Sequence, residues 1–124
     1  MLIGDKLFGL LEKVIDASAI KHKVIANNIA NVNTPGYKRL DVDFESELKN
    51  ALRGNGIVDI SSVKPKIVVA KGSENTLLRN DGNNVDIEVE VSELVKNTLT
   101  YNIYVQLMSK KFMALKLAIS GGRG

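Results

Sequence analysis

Two stretches of the chain repeat apolar residues at alternating steps of three and four. The first runs from about Asp5 to Val32 and places Phe8, Leu11, Ile15, Ser18, His22, Ile25, Ile29 and Val32 on one seam, six of the eight being apolar. Such spacing predicts a long helix with a coiled-coil face. Asp5 is expected to cap its start or favour its positive end. The run must stop at Asn33-Thr34-Pro35-Gly36-Tyr37, because Pro35 pushes Thr34 out of the helical region and Gly36 can take the positive φ of a type II turn.

The second pattern is longer and more regular. Val91, Leu94, Thr98, Tyr101, Val105, Met108, Phe112, Leu115 and Ile119 keep a strict alternation of three- and four-residue steps, with Thr98 the one polar residue. Asp86, Glu88, Glu90 and Glu93 crowd its start and Lys110, Lys111 and Lys116 lie near its end, as the helix dipole favours. Gly121-Gly122 terminates it. Between the two, Phe44, Leu48 and Leu52 predict a short helix from about Asp43 to Arg53, closed by Gly54-Asn55-Gly56. The β-branched patches Ile57 to Ile60 and Ile67 to Ala70 predict at most a small edge-like hairpin. Asn80-Asp81-Gly82-Asn83-Asn84 reads as a turn into the last helix. The expected fold is therefore mainly α: two long N- and C-terminal helices pairing as a coiled coil, with a small irregular or short-β middle. Its parts are residues 1–36 (first helix and turn), 37–85 (variable middle) and 86–124 (last helix).

Helices of about 28 and about 32 residues would be roughly 42 and roughly 48 Å long. A compact chain of 124 residues has a diameter of only about 35 Å. Apolar residues also lie off both seams: Leu7, Leu10, Val14, Ile20 and Val24 in the first, Val95, Leu99, Ile103, Leu107 and Met113 in the second. A two-helix hairpin would expose much of that second set, and exposed apolar surface on this scale marks an interaction surface. The residues of both seams are accordingly expected to carry protein–protein contacts.

Composition excludes more than it adds. The chain has no cysteine and one histidine, so thiol chemistry, disulfides and His-rich metal sites are unsupported. The longest uncharged runs, residues 24 to 37 and 97 to 109, fall short of the roughly 18 apolar residues of a membrane span. Asp5 and Lys6 interrupt the place of a secretory h-region, so export without a cleaved signal peptide is expected if the protein leaves the cytoplasm. The net charge is +3, but residues 1–40 and 101–124 are basic whereas 41–100 hold eleven acidic side chains against seven basic ones. Aromatics are 5% with no Trp, a poor supply for base stacking. His22 has no triad partners at fixed spacing, the Asp41, Asp43, Glu45 and Glu47 carboxylates have no apolar pocket, and the glycines never form a phosphate-cradling motif. Neither an enzyme nor a cofactor is expected.

The segment Asn27-Asn28-Ile29-Ala30-Asn31-Val32-Asn33 concentrates asparagines where a helix disfavours them. Asn carries donor and acceptor without charge, so stacked copies in a polymer could hydrogen-bond through it; capping of a long helix is the alternative. With Ile25, Ala26, Thr34, Pro35, Gly36, Tyr37 and Lys38, this stretch resembles the N-terminal signature of bacterial flagellar rod, hook and hook-associated axial proteins. Asp81-Gly82-Asn83-Asn84-Val85-Asp86, Glu90, Leu94, Asn97, Tyr101 and the ending Lys116 to Gly122 are similar to the rod branch of that family, with Val91 departing from its usual Met. The resemblance covers about two thirds of the chain and leaves residues 38–80 without signal.

What the resemblance implies is a structural subunit of the flagellar basal body. The paired terminal helices would pack around the axis of a hollow helical polymer, the proximal rod, linking the membrane ring and export apparatus to the distal rod. Its partners would be other copies of itself, neighbouring rod, rod-base and membrane-ring proteins, and the flagellar type III export apparatus, with no nucleic acid and no direct membrane insertion; its place would be the periplasmic rod. Phe44 and Leu48 are similar to the short apolar export motif of rod and hook subunits, although the same spacing is ordinary in an amphipathic helix. The heptads alone would equally permit a cytoplasmic helical interaction or adaptor module, and the basic ends a nucleic-acid-binding helical protein.

Overall fold

The computed structural model describes residues 2–53, 63–70 and 80–121. The elements in order are α1 (Leu2–Ala30), β1 (Leu40–Asp43), α2 (Glu45–Arg53), β2 (Lys66–Val69) and α3 (Ile87–Gly121). At 29 and 35 residues, α1 and α3 are about 44 and about 52 Å long. They run antiparallel along each other. Phe8 meets Phe112 with ring centroids 4.9 Å apart, the Ser18 carbonyl accepts the Asn97 amide at 2.8 Å, and Asn28 reaches Glu90 at 3.0 Å. The chain is thus mainly α, a long helical hairpin with a two-stranded sheet beside its closed end.

Helix α1 begins before Asp5, so that residue lies within the first turns rather than capping them. The other end stops at Ala30, two residues short of the expected Val32, and the chain passes through tight turns, with Val32 N–H on Ile29 O and Thr34 N–H on Asn31 O, to the Pro35-Gly36 turn. Asn31 N–H still bonds Asn27 O at 3.1 Å, and Thr34 O then accepts Tyr37 N–H at 3.2 Å, which with Gly36 at φ 75° is a type II turn. A Cβ at Gly36 would meet nothing within 4 Å, so backbone conformation alone sets the cost of replacing it. Gly36→Val is expected to destabilise the full chain by about 1 to 2 kcal/mol, and Gly36→Asn by less, because Asn tolerates the left-handed region. Urea unfolding followed by circular dichroism measures both; equal loss from Val and Asn would contradict a conformational cause.

Strand β1 differs from expectation, since local pattern placed no strand there. Leu40, Asp41, Val42 and Asp43 pair antiparallel with Val69, Val68, Ile67 and Lys66, and Ala70 N–H extends the ladder to Arg39 O at 2.9 Å. The partner of β2 is therefore β1, while the patch 57–60 expected opposite it lies outside the described residues. Helix α2 forms as the Phe44 and Leu48 spacing predicts, two residues shorter at its start. There Asp43 accepts Ser46 N–H at 3.3 Å and Ser46 Oγ–H at 2.6 Å, satisfying a donor of the first turn.

Helix α1 buries the face read by heptads and widens it. Leu11, Ser18 and Ile25 are buried and Phe8, Ile15, Ile29 and Val32 half-buried, His22 alone of the seam is exposed, and Ala17, Val24 and Asn28 beside the seam are buried as well. In α3, Leu94, Met108 and Leu115 are half-buried, whereas Val91, Thr98, Tyr101, Val105, Phe112 and Ile119 are exposed. Glu90, Asn97 and Tyr104 are the more buried in place of Val91, Thr98 and Val105, while Phe112 keeps an edge against Phe8. Alternate seam positions thus give way to the residue before them, which brings polar side chains inward.

Candidate functional site

The largest fully buried side chains among the described residues are Asn28, Asn83 and Glu90. All three are polar, and they converge at the closed end of the hairpin. Asn28 uses its whole amide. Nδ2 donates to Leu40 O at 2.9 Å and Glu90 Oε2 at 3.0 Å, while Oδ1 accepts Leu40 N–H at 3.0 Å and Tyr37 O–H at 2.8 Å. A side chain in α1 thereby pairs with β1 as a neighbouring strand would. The Glu90 carboxylate, fully desolvated, is paired with Arg39 Nε on its other oxygen, which offsets the cost of burying its charge.

The second half of the clasp is Asn83. Its Nδ2 donates to the carbonyls of Asn31 at 2.8 Å, Val32 at 3.1 Å and Thr34 at 2.7 Å, oxygens left without helical partners where α1 ends. Its Oδ1 accepts Val85 N–H at 2.8 Å. Asn84 Oδ1 accepts Arg39 N–H at 2.7 Å, and Lys38 Nζ donates to Gly82 O. Gly82, at φ 79°, brings its turn so close that a Cβ there would lie 3.7 Å from Gly36 Cα, and Asp81 O accepts Gly36 N–H at 2.8 Å. The two glycine turns rest back to back.

The structure thus brings together most residues of the Asn27–Tyr37 and Asp81–Asn83 motifs. Several of their asparagines close the end of α1 within the chain, one of the two roles expected of them. Asn31 Nδ2 bonds Asn27 O at 2.8 Å, Thr34 Oγ1 donates to Asn31 Oδ1 at 3.0 Å, and Asn27 Nδ2 donates to Tyr37 Oη at 2.9 Å. Ala30, Asn33 and Pro35 face solvent. Sequence reasoning missed Arg39 and Asn84 as partners; the usable signal was Glu90, a carboxylate on the inward side of an otherwise apolar helix.

Burial raises the Tyr37 phenol above its ordinary pKa of 10.0, opposed by the bond from Asn27 and assisted by the charge of Glu90. The unfolded chain therefore ionises this tyrosine first, so its contribution to stability is complete below about pH 10 and is lost as pH rises through the folded value. Asn27→Ala is expected to raise the Tyr37 pKa further, because it removes the donor that stabilises phenolate. Spectrophotometric titration with Tyr37→Phe as the reference reads the shift; a lowered value would contradict the assigned contacts.

Away from the clasp, apolar side chains lie on every side of α3, interspersed with polar ones such as Lys96, Asn102 and Gln106. Leu99 is 60% exposed, Ile103 58%, Met113 62% and Leu117 67%, with Val91, Val95 and Leu107 also exposed. Exposed apolar surface on this scale marks an interaction surface. Phe44 and Leu48 are half-buried, Phe44 against a groove it shares with Val14, Val42 and Tyr104. His22 lines a shallow groove between α1 and α3 with Tyr101 and Asn102. Among the described residues no cluster of His, Asp or Glu is placed to hold a metal, and no helix is long and apolar enough to cross a membrane.

A clasped pair of long antiparallel helices, one of them uncovered along most of its length, defines the chain as a subunit of a larger helical assembly. Residues 16–38 match the family described as flagella basal body rod protein. Across nearly its full length the chain is similar to flagellar basal body rod protein FlgB of Bacillus subtilis, 38% identical over 91% of this chain and 92% of the relative. It is also similar to FlgB of Aquifex aeolicus, 37% over 90% and 91%, and to FlgB of Borrelia hermsii, 30% over 96% and 99%. The chain belongs to the flagellar basal body rod protein FlgB family. It is a structural subunit of the rod in the flagellar basal body, where it assembles with other rod components.

Proposed function

We propose that this chain forms the proximal rod, the segment that links the membrane ring and export apparatus to the distal rod, with α1 and α3 packed side by side with those of neighbours around the rod axis. The observation that carries the reading is the exposed apolar surface of α3, which a hairpin alone leaves in water and which lateral neighbours would bury at about 25 cal/mol per Å². The seam residues not used within the hairpin, Val91, Val105 and Ile119, are then contacts to neighbours, and exposed Ala30 allows another backbone to approach closely. Copies of this chain, rod-base and membrane-ring proteins are the proposed neighbours, and the periplasmic rod is the proposed location.

Delivery is proposed to run through the flagellar type III export apparatus without a cleaved signal peptide, with Phe44 and Leu48 as the export motif. The test is removal of the chain from a motile cell followed by electron microscopy of isolated basal bodies. Rings without any rod, restored by the wild-type chain, is the expected result. Basal bodies that carry a proximal rod and lack only its distal portion would overturn the proximal assignment. A cytoplasmic adaptor or a nucleic-acid-binding protein would leave the chain inside the cell, and fractionation separates those readings from this one.

A further inference from the structure

The half-buried apolar residues on the inward side of α3, such as Leu94, Met108 and Leu115, are of similar size. Sliding α3 along α1 by one turn, about 5.4 Å, would exchange one apolar neighbour for another at little cost. Apolar contact therefore defines the faces of the hairpin poorly and its axial position hardly at all. Only polar groups inside the contact distinguish one axial position from the next, because each has a specific partner and loses it on a slip.

We infer that Glu90, held between Asn28 and Arg39, is the register-determining residue of the helical hairpin, and that Asn97 on the Ser18 carbonyl is a second check partway along it. The geometry is specific in three ways. Glu90 is fully buried, so a slipped hairpin carries an uncompensated charge away from water. Its two oxygens take donors from different elements, Asn28 of α1 and Arg39 just before β1, so no single movement of α1 preserves both. Asn97 donates to Ser18 O at 2.8 Å and is itself buried, two turns of α3 further on. A buried polar group of this kind lowers gross stability relative to an apolar one while excluding alternative pairings. The inference concerns the chain's own fold and stands whether or not the proximal-rod reading holds.

The chain has no cysteine, so axial position can be read by thiol crosslinking of the purified full-length chain. Phe8→Cys is combined in turn with Met108→Cys, Phe112→Cys and Leu115→Cys, and each pair is treated with a short thiol–thiol crosslinker at a concentration where closure is intramolecular. With the native clasp, the 8–112 pair is expected to close roughly tenfold faster than 8–108 or 8–115, the preference that a buried pair broken by a slip implies. In Glu90→Leu combined with Asn28→Leu and Arg39→Met, the preference for 8–112 is expected to fall to about threefold, the remainder being held by Asn97, with helicity by circular dichroism retained. Glu90→Gln, which keeps hydrogen-bonding capacity, is expected to retain most of the preference and covers the case in which the triple variant fails to fold, because Glu90→Leu alone then provides the comparison. An unchanged preference for 8–112 in Glu90→Leu or the triple variant would overturn the inference and assign the register to the connecting chain. Convergence in Glu90→Gln as great as in Glu90→Leu would overturn it too, since any disturbance at that position would then suffice.

Discussion

Leu99→Asp and Ile103→Asp are each expected to abolish incorporation into the rod while leaving both the folded hairpin and the secreted amount close to normal. Both side chains are more than half exposed on α3, so in the isolated chain the change falls within the roughly 0.5 kcal/mol typical of surface substitutions. Covered by a neighbouring helix, an unpaired carboxylate costs several kcal/mol, and at about 1.4 kcal/mol per tenfold that is a loss of a hundredfold or more in subunit association. Phe112→Asp should differ by also disturbing the hairpin, since its ring stacks on Phe8. Swimming, secreted chain and chain retained in purified basal bodies should be measured together. Normal motility with Leu99→Asp would show that this face of α3 is not covered in the rod.

Asn83→Ala is expected to lower the stability of the full chain by about 1 to 3 kcal/mol, because it removes the acceptor of Val85 N–H and the donor that three carbonyls share, although the Asn31 and Thr34 oxygens keep a turn N–H. Asn83→Asp should be at least as damaging despite its identical shape. It replaces the donating amide with an oxygen facing the carbonyls of Asn31, Val32 and Thr34. Asn33→Ala, two residues after Asn31 but exposed, should fall within about 0.5 kcal/mol of the parent. Urea unfolding of the three variants gives the order directly. Similar losses at Asn33 and Asn83 would mean that asparagine content, rather than this clasp, matters at the bend.

The clasp also explains why one end of the hairpin can be built from residues that are poor helix formers. Asparagine inside a helix competes for backbone groups, but here Asn28 answers the backbone of β1 and Asn83 answers the carbonyls that α1 leaves open. Neither partner is in its own helix. The polar groups join α1, β1 and α3 beside buried Val24, Ile25, Ala70 and Val85, while much of the apolar material of α3 stays available to neighbours. Stability of the single chain and capacity for assembly thus draw on different residues.

What the amino-acid sequence determined by itself was everything governed by neighbours a few positions apart. The two long helices follow from apolar periodicity, the break after α1 from Pro35 and the positive φ of Gly36, and the short helix α2 from Phe44 and Leu48. The exposure of Val95, Leu99, Ile103, Leu107 and Met113 also followed, because one partner helix cannot cover a helix with apolar side chains on every side. Tertiary structure decided the rest. Strand β1 exists because β2 pairs with it and α1 supports it, neither of which Leu40-Asp41-Val42-Asp43 announces. On the inward face of α3, alternate positions gave way to the residue before them, because a helix with apolar side chains on every side carries little angular preference of its own, and Glu90 and Asn97 supplied one by finding partners 62 and 79 positions away. Local periodicity records which residues share a helix face, but a polar side chain becomes an interior residue only when the fold brings its hydrogen-bond partner to it.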